Sequence, residues 1–128
     1  MERFEIEGDG KKPEVALNGE KGLIEISGRS IPEHAGKFYM PILDWIDRYV
    51  KSPAEETTIR FELEYYNSSS KRYLLDVLER FSLLHENGHK VTLNWYYEED
   101  DEDAEDVGTM FKELIKFETN LIPVPEEV

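Results

Sequence analysis

Cysteine is absent from this 128-residue chain, which excludes disulfides, thiolate nucleophiles and cysteine-based metal sites and suits a reducing cytoplasm. No apolar run approaches membrane-spanning length. The opening Met1-Glu2-Arg3-Phe4 also lacks the basic-then-apolar layout of a signal peptide, so a soluble cytoplasmic protein is expected. Positive charge is scarce, with 15 basic residues against 29 acidic ones. The resulting −14 argues against nucleic acid or anionic membrane as a partner and leaves other proteins. Catalytic glycine signatures are missing as well: there is no Gly-x-Ser-x-Gly, Walker or Rossmann pattern, so no enzyme activity and no cofactor is expected. His85 and His89 stand four apart, but Asn87-Gly88 between them signals a helix end that spoils a metal pair.

What is present fits one domain, residues 1–128, large enough to bury a core without covalent staples. Phe4 and Ile6, Val15 and Leu17, and Leu23 to Ile26 read as three short strands joined by Asp9-Gly10 and Asn18-Gly19 turns, an antiparallel meander. Phe38, Ile42, Trp45, Ile46 and Tyr49 then mark a helix of about 14 residues that stops before Ser52-Pro53. Ile59, Phe61, Leu63 and Tyr65 alternate with Arg60, Glu62, Glu64 and Tyr66 in a half-buried strand. Leu74, Leu75, Leu78, Phe81 and Leu84 give the apolar stripe of a second helix, from about Ser68 to Glu86. Val91, Leu93, Trp95 and Tyr97 share one face of the next strand. A helix from roughly Asp103 to Lys116, carrying Val107, Met110, Phe111, Leu114 and Ile115, and a last strand near Phe117 to Ile122 complete the chain.

This order predicts an α/β fold: a mixed, largely parallel sheet with an N-terminal antiparallel meander. Arg60, Glu62, Glu64, Thr92 and Asn94 put polar side chains on one sheet face, so the roughly three helices are expected mainly on the other. The loops Arg29 to His34, Asn67 to Arg72 and Glu98 to Asp106 would then meet at the carboxyl edge of the parallel strands, where partner sites collect. The last of these is strongly acidic. Glu98-Glu99-Asp100-Asp101-Glu102-Asp103, with Glu105 and Asp106, holds eight acids, and removing them from −14 leaves −6 on the rest. The run lacks the glycine-centred spacing of an EF-hand and reads as a solvated helix start or a protein-docking loop. Trp45, Trp95 and Tyr97 read as core, whereas Tyr66 and Tyr96 are placed on the polar face as candidate partner contacts.

The strand-to-helix junction Tyr65-Tyr66-Asn67-Ser68-Ser69-Ser70-Lys71-Arg72 carries the functional signal. Asn67 and the serines are the residue types that cap orphan N–H groups. Lys71 and Arg72 oppose the helix dipole at a cost of roughly 0.3–1 kcal/mol each. They are either solvated surface bases or partners for an anion, and a phosphate on one of the serines would be such an anion.

The chain resembles the SiaC family of bacterial regulatory phosphoproteins over nearly its whole length. The likeness rests on Tyr65-Tyr66-Asn67-Ser68-Ser69-Ser70, on Val91-Thr92-Leu93-Asn94-Trp95-Tyr96-Tyr97 running into the acidic stretch, and on Ile42-Leu43-Asp44-Trp45-Ile46. The resemblance implies a STAS-like, anti-sigma-factor-antagonist-like protein. In such a protein a Ser/Thr protein kinase phosphorylates a hydroxyl at a helix start and a PP2C-type phosphatase removes the group. It further implies that the unmodified form binds and activates a diguanylate cyclase in cyclic di-GMP and biofilm signalling. The acceptor position carried over is Ser68, where the family often has threonine, with Ser69 and Ser70 as competing acceptors. Tyr66, Asn67, Lys71, Arg72 and Tyr96 are the expected partner-binding residues. The alternative is a constitutive adaptor of the same fold whose serines only cap the helix.

Overall fold

Every parallel step in this chain joins neighbouring strands, and right-handed crossovers taken in one direction put each connecting helix on the same face of the sheet. The computed structural model describes residues 1–125. It contains β1 (Phe4–Ile6), β2 (Glu14–Asn18), β3 (Leu23–Ser30), α1 (Ala35–Tyr49), β4 (Glu56–Tyr66), α2 (Ser68–Glu86), β5 (Lys90–Glu98), α3 (Glu102–Ile115) and β6 (Glu118–Val124). The six strands lie side by side in chain order. The β1–β2 and β2–β3 pairs are antiparallel; β3–β4, β4–β5 and β5–β6 are parallel. The mixed α/β architecture is thus the one the alternation of patterns predicts. Element bounds shift by a few residues: β3 continues through Ser30, so its loop to α1 starts at Ile31, and β6 begins at Glu118 and ends at Val124.

One face of the sheet is buried beneath the three helices. Ile24, Ile26, Ile59, Phe61, Leu93 and Trp95 pack there against Tyr39, Trp45, Ile46 and Tyr49 of α1, Leu74, Leu78 and Phe81 of α2, and Phe111 of α3. The opposite face stays open and polar. Glu25, Arg60, Asn94 and Asn120 follow one another across it in register, and Arg60 pairs with both Glu25 and Glu62 while its guanidinium lies 4.8 Å from the Tyr96 ring. Exposed ion pairs of this kind add little stability. They do keep a two-sided sheet from presenting an apolar surface.

Two glycines are dictated by close approach. Gly22 has φ +67, and a Cβ there would run into the Glu56 carbonyl, to which the β2–β3 turn is folded down. Gly108, inside α3, faces Trp95 so closely that a Cβ would lie 2.5 Å from Cδ1. That contact corrects the expected packing of α3. The face turned to the sheet is Ala104, Gly108, Phe111 and Ile115, while Met110 and Leu114 are exposed, because the small residues let the helix axis come close on their side. The helix ends on Lys116, a non-glycine residue with φ 64.

A β-bulge produces the second correction. Gly28 of β3 pairs with Leu63 of β4, but the next residue, Arg29, pairs with Tyr65, so Glu64 is an extra residue on β4. The alternation is inverted beyond it. Tyr65, expected inward, is exposed with Arg29 over its ring at 5.4 Å. Tyr66, expected on the polar face, instead packs edge-on against Trp95 at 5.9 Å on the helix side.

Candidate functional site

The start of α2 is built by a division of labour among polar residues. Asn67 is the N-cap, its Oδ1 accepting from the Ser70 N–H at 2.9 Å, and its own backbone N–H is held by the Ser30 carbonyl at 3.2 Å. Ser70 is fully buried. Its Oγ donates to the Ser30 carbonyl at 2.8 Å and accepts from Ser30 Oγ at 2.8 Å. The single Ser30 hydroxyl proton is thereby used, so Tyr39 donates the 2.6 Å bond that joins it to Ser30. Burial pushes the Tyr39 phenol above its ordinary pKa, with the serine contacts opposing that rise. This chain pins β3, α1 and α2 together.

The structure therefore withdraws Ser70 from the accessible hydroxyls, since its oxygen is enclosed and engaged in two hydrogen bonds. Ser68 and Ser69 are exposed. Ser30 and Tyr39 were missed from sequence, although Ser30 continues the inward period of Ile24 and Ile26. Likewise Ser70 sits four residues before Leu74 and seven before Val77, on the core stripe of its helix.

Across from Ser68, the start of α3 is held by the strand below it. Asp101 caps the helix through its Oδ1 and the Ala104 N–H at 3.0 Å, and Trp95 Nε1 donates to the Ala104 carbonyl at 2.9 Å. Glu102, Asp103 and Glu105 in the first turn complement the dipole, so the acidic run serves as a helix start. Tyr97 Oη reaches the Glu105 carboxylate at 3.2 Å.

The two helix starts enclose a cleft of about 280 Å³, with Tyr66, Asn67, Ser68 and Lys71 on one side and Asp101, Asp103 and Val107 on the other. The serine cluster and the acidic run are thus neighbours. Burial, reinforced by the negative charges of Asp101 and Asp103, pushes the Tyr66 phenol up to about 12. Lys71 is half-buried in the cleft wall, whereas Arg72 is exposed and outside it. Tyr96 lies apart, on the open sheet face beside Arg60.

The Tyr66 shift has a measurable sign. Below its ordinary pKa of 10.0 the phenol is protonated folded and unfolded alike; above it the unfolded chain releases the proton while the folded chain keeps it until about 12. Stability therefore falls through that window. Tyr66→Phe is expected to flatten the fall without abolishing it, because Tyr39 and Tyr97 are also shifted upward. Urea unfolding on both sides of the window measures this, and equal slopes for the two proteins would remove the assignment.

Comparison with known proteins places these features. The family model described as SiaC family regulatory phosphoprotein matches residues 6–124. An uncharacterized protein of Pseudomonas aeruginosa (strain UCBPP-PA14) is 25% identical over 117 residues, covering 91% of this chain and 93% of that protein. Among solved structures, a chain from the crystal structure of the diguanylate cyclase SiaD in complex with its activator SiaC, from Pseudomonas aeruginosa, superposes with a TM-score of 0.89 at 23% identity, covering 94% of this chain and 99% of that one. Apo-SiaC from Pseudomonas aeruginosa gives 0.87 at 23% identity, covering 95% and 99%. At that identity the superpositions establish the fold.

Proposed function

Because the chain belongs to the SiaC family of regulatory phosphoproteins, we propose that it is a non-catalytic protein-binding switch controlled by phosphorylation at Ser68. In this reading the whole chain, 1–128, acts as one unit in the cytoplasm. A Ser/Thr protein kinase modifies Ser68, a PP2C-type phosphatase restores it, and the unmodified form binds and activates an effector such as a diguanylate cyclase. Pseudomonas aeruginosa SiaC, whose fold this chain shares, is the activator of the diguanylate cyclase SiaD with which it was crystallised.

The observation that supports the reading is that, among the described residues, the exposed Ser68 hydroxyl takes part in no hydrogen bond. Asn67 holds the cap and Ser70 is the buried strut, which leaves the first hydroxyl of α2 exposed at the mouth of the cleft. A phosphate there adds about −1.5 to −2 charges next to Lys71 and opposite Asp101 and Asp103. Lys71 and the free N–H groups of the first turn attract it; the two aspartates repel it. A surface complementary to the unmodified cleft would lose its fit through both bulk and charge. Tyr66, Asn67 and Lys71 are the central contact residues, Arg72 and Tyr96 are outlying ones, and Ser69 is the remaining competing acceptor.

Mass spectrometry after incubation with the kinase, and affinity for the cyclase, test this together. Ser68→Ala is expected to bind like the unmodified wild type and to take no phosphate, whereas phosphorylation of the wild type weakens binding by about 100-fold, or roughly 2.7 kcal/mol. Phosphate incorporation that persists undiminished in Ser68→Ala would move the acceptor elsewhere. Equal affinity of wild type, phosphorylated protein and Ser68→Asp would return a constitutive adaptor.

A further inference from the structure

The two helix starts that wall the Ser68 cleft are fastened by different chemistry. At α2 every fastening is neutral. The Asn67 N–H and the Ser70 hydroxyl donate to the Ser30 carbonyl, the Ser30 hydroxyl donates to Ser70 Oγ, and the cap on the Ser70 N–H is an amide oxygen. Tyr66, which lines the cleft from β4, rests edge-on against the buried Trp95. At α3 the cap is a charge. The Asp101 carboxylate takes the Ala104 N–H at 3.0 Å, and its backbone carbonyl takes the Glu105 N–H at 3.1 Å. The bond from Trp95 Nε1 to the Ala104 carbonyl holds this turn to the sheet from below. A new charge in the cleft therefore acts weakly on the α2 start and directly on the α3 cap.

The α3 wall is also short of countercharge. Among the described residues none of the eight acids between Glu98 and Asp106 takes part in an ion pair, although eight pairs form elsewhere on the molecule. The charges of Asp101 and Asp103 are felt across the cleft, where they reinforce the upward shift of the Tyr66 phenol. Lys71 is the basic residue that lines the cleft, and Glu64, paired with Arg29, adds a further carboxylate at its margin. A phosphate on Ser68 brings about −1.5 to −2 charges into this space, more than one lysine neutralises. Lys71 and the first-turn N–H groups hold that phosphate on the α2 side. The dipole of α3 offers it little attraction, because Glu102, Asp103 and Glu105 already offset that helix end. The uncompensated repulsion falls on Asp101 and Asp103.

We propose that Asp101 and Asp103 read the phosphate within the chain itself: phosphorylation of Ser68 drives the two carboxylates from the cleft, Asp101 releases the Ala104 N–H, and the first turn of α3 frays. The modified protein then lacks one wall of the cleft, a change in the switch itself on top of the bulk and charge that the phosphate presents to a partner. The α2 start keeps its place. This deepens the proposed regulation and rests on Ser68 as the acceptor. Ser69, the competing acceptor, does not line the cleft and has no such coupling.

The test uses the full chain with phosphoserine installed during synthesis at position 68 or at position 69, each compared with its own unmodified form by residue-resolved amide hydrogen exchange. Phosphoserine at 68 is expected to speed exchange at Ala104 and Glu105 by at least about tenfold. The capped amides of α2, Ser70 and Lys71, should stay within about twofold. Phosphoserine at 69 should leave all four amides unchanged. Asp101→Asn keeps a capping side chain but removes its charge, so phosphoserine at 68 should accelerate Ala104 and Glu105 far less in that variant. Asp103→Asn leaves the cap untouched and gives a second reading, again with a smaller acceleration. Equal exchange at Ala104 and Glu105 with and without phosphate at 68 would overturn the proposal. So would an equal acceleration from position 69, or one that is undiminished in both asparagine variants. A kinase that modifies Ser69 alone would remove the switch at Ser68 without altering these rates, so the two readings fail separately.

Discussion

Trp95→Ala is expected to cost about 3–5 kcal/mol and to loosen the start of α3 before the rest of the fold gives way. The indole is buried where four elements meet. It lies edge-on to Phe111 at 5.4 Å, to Tyr66 at 5.9 Å and to Phe61 at 6.3 Å, and it is the surface against which Gly108 is packed. Removing it opens a large cavity and also leaves the Ala104 carbonyl without the Nε1–H donor that holds it at 2.9 Å. Trp95→Phe separates the two contributions, because it keeps most of the packing and loses the hydrogen bond, for roughly 1 kcal/mol beyond the lost volume. Urea unfolding gives the totals, and hydrogen exchange at the first turn of α3 gives the local part. If that turn stayed as protected in Trp95→Ala as in the wild type, the strand would not be what positions Asp101 and Asp103.

Ser70→Ala carries the second large effect, about 1–3 kcal/mol, through a different mechanism. No cavity of consequence is made. What is lost is the acceptor for the Ser30 hydroxyl proton and one of the donors to the Ser30 carbonyl, both enclosed where water does not replace them. Combination with Tyr39→Phe should be markedly non-additive, since both side chains act through Ser30 Oγ. A double-mutant cycle showing simple additivity would mean that the three hydroxyls do not act as a chain. Phosphorylation of Ser68 measured in Ser70→Ala further distinguishes the strut from the acceptor. Modification should persist in that variant, because the altered residue faces the interior.

Much of this architecture could be read from period alone. Ile59, Phe61 and Leu63, and Val91, Leu93, Trp95 and Tyr97, alternate cleanly because one face of each strand is buried and the other is open. Polar residues opposite them revealed that helices cover only one side. The meeting of Asn67–Arg72 with the acidic run followed from topology, because loops that leave parallel strands share an edge. Periodicity was blind where polarity and position part company. Ser70 is hydrophilic yet occupies the core stripe of α2, so its residue type points to an acceptor while its helical phase points to the interior. Met110 and Leu114 are apolar yet exposed, since the side of α3 that approaches the sheet is chosen by the smallness of Ala104 and Gly108. The exchanged roles of Tyr65 and Tyr66 depend on an extra residue in one strand, and two adjacent tyrosines carry no mark that tells which one points inward.

That extra residue, Glu64, works as a frameshift in three dimensions. Without it the odd-numbered positions of β4 would keep facing the helices, Tyr65 would cover Trp95, and the chain would leave the sheet half a pleat out of step. With it the parity changes before Asn67, Tyr66 becomes the inner lining of the cleft, and the chain enters the helix in the phase that sends Ser70 inward and Ser68 outward. The exposed hydroxyl proposed as the phosphate acceptor and the one that fastens the fold are two residues apart, and a single inserted glutamate sets which is which.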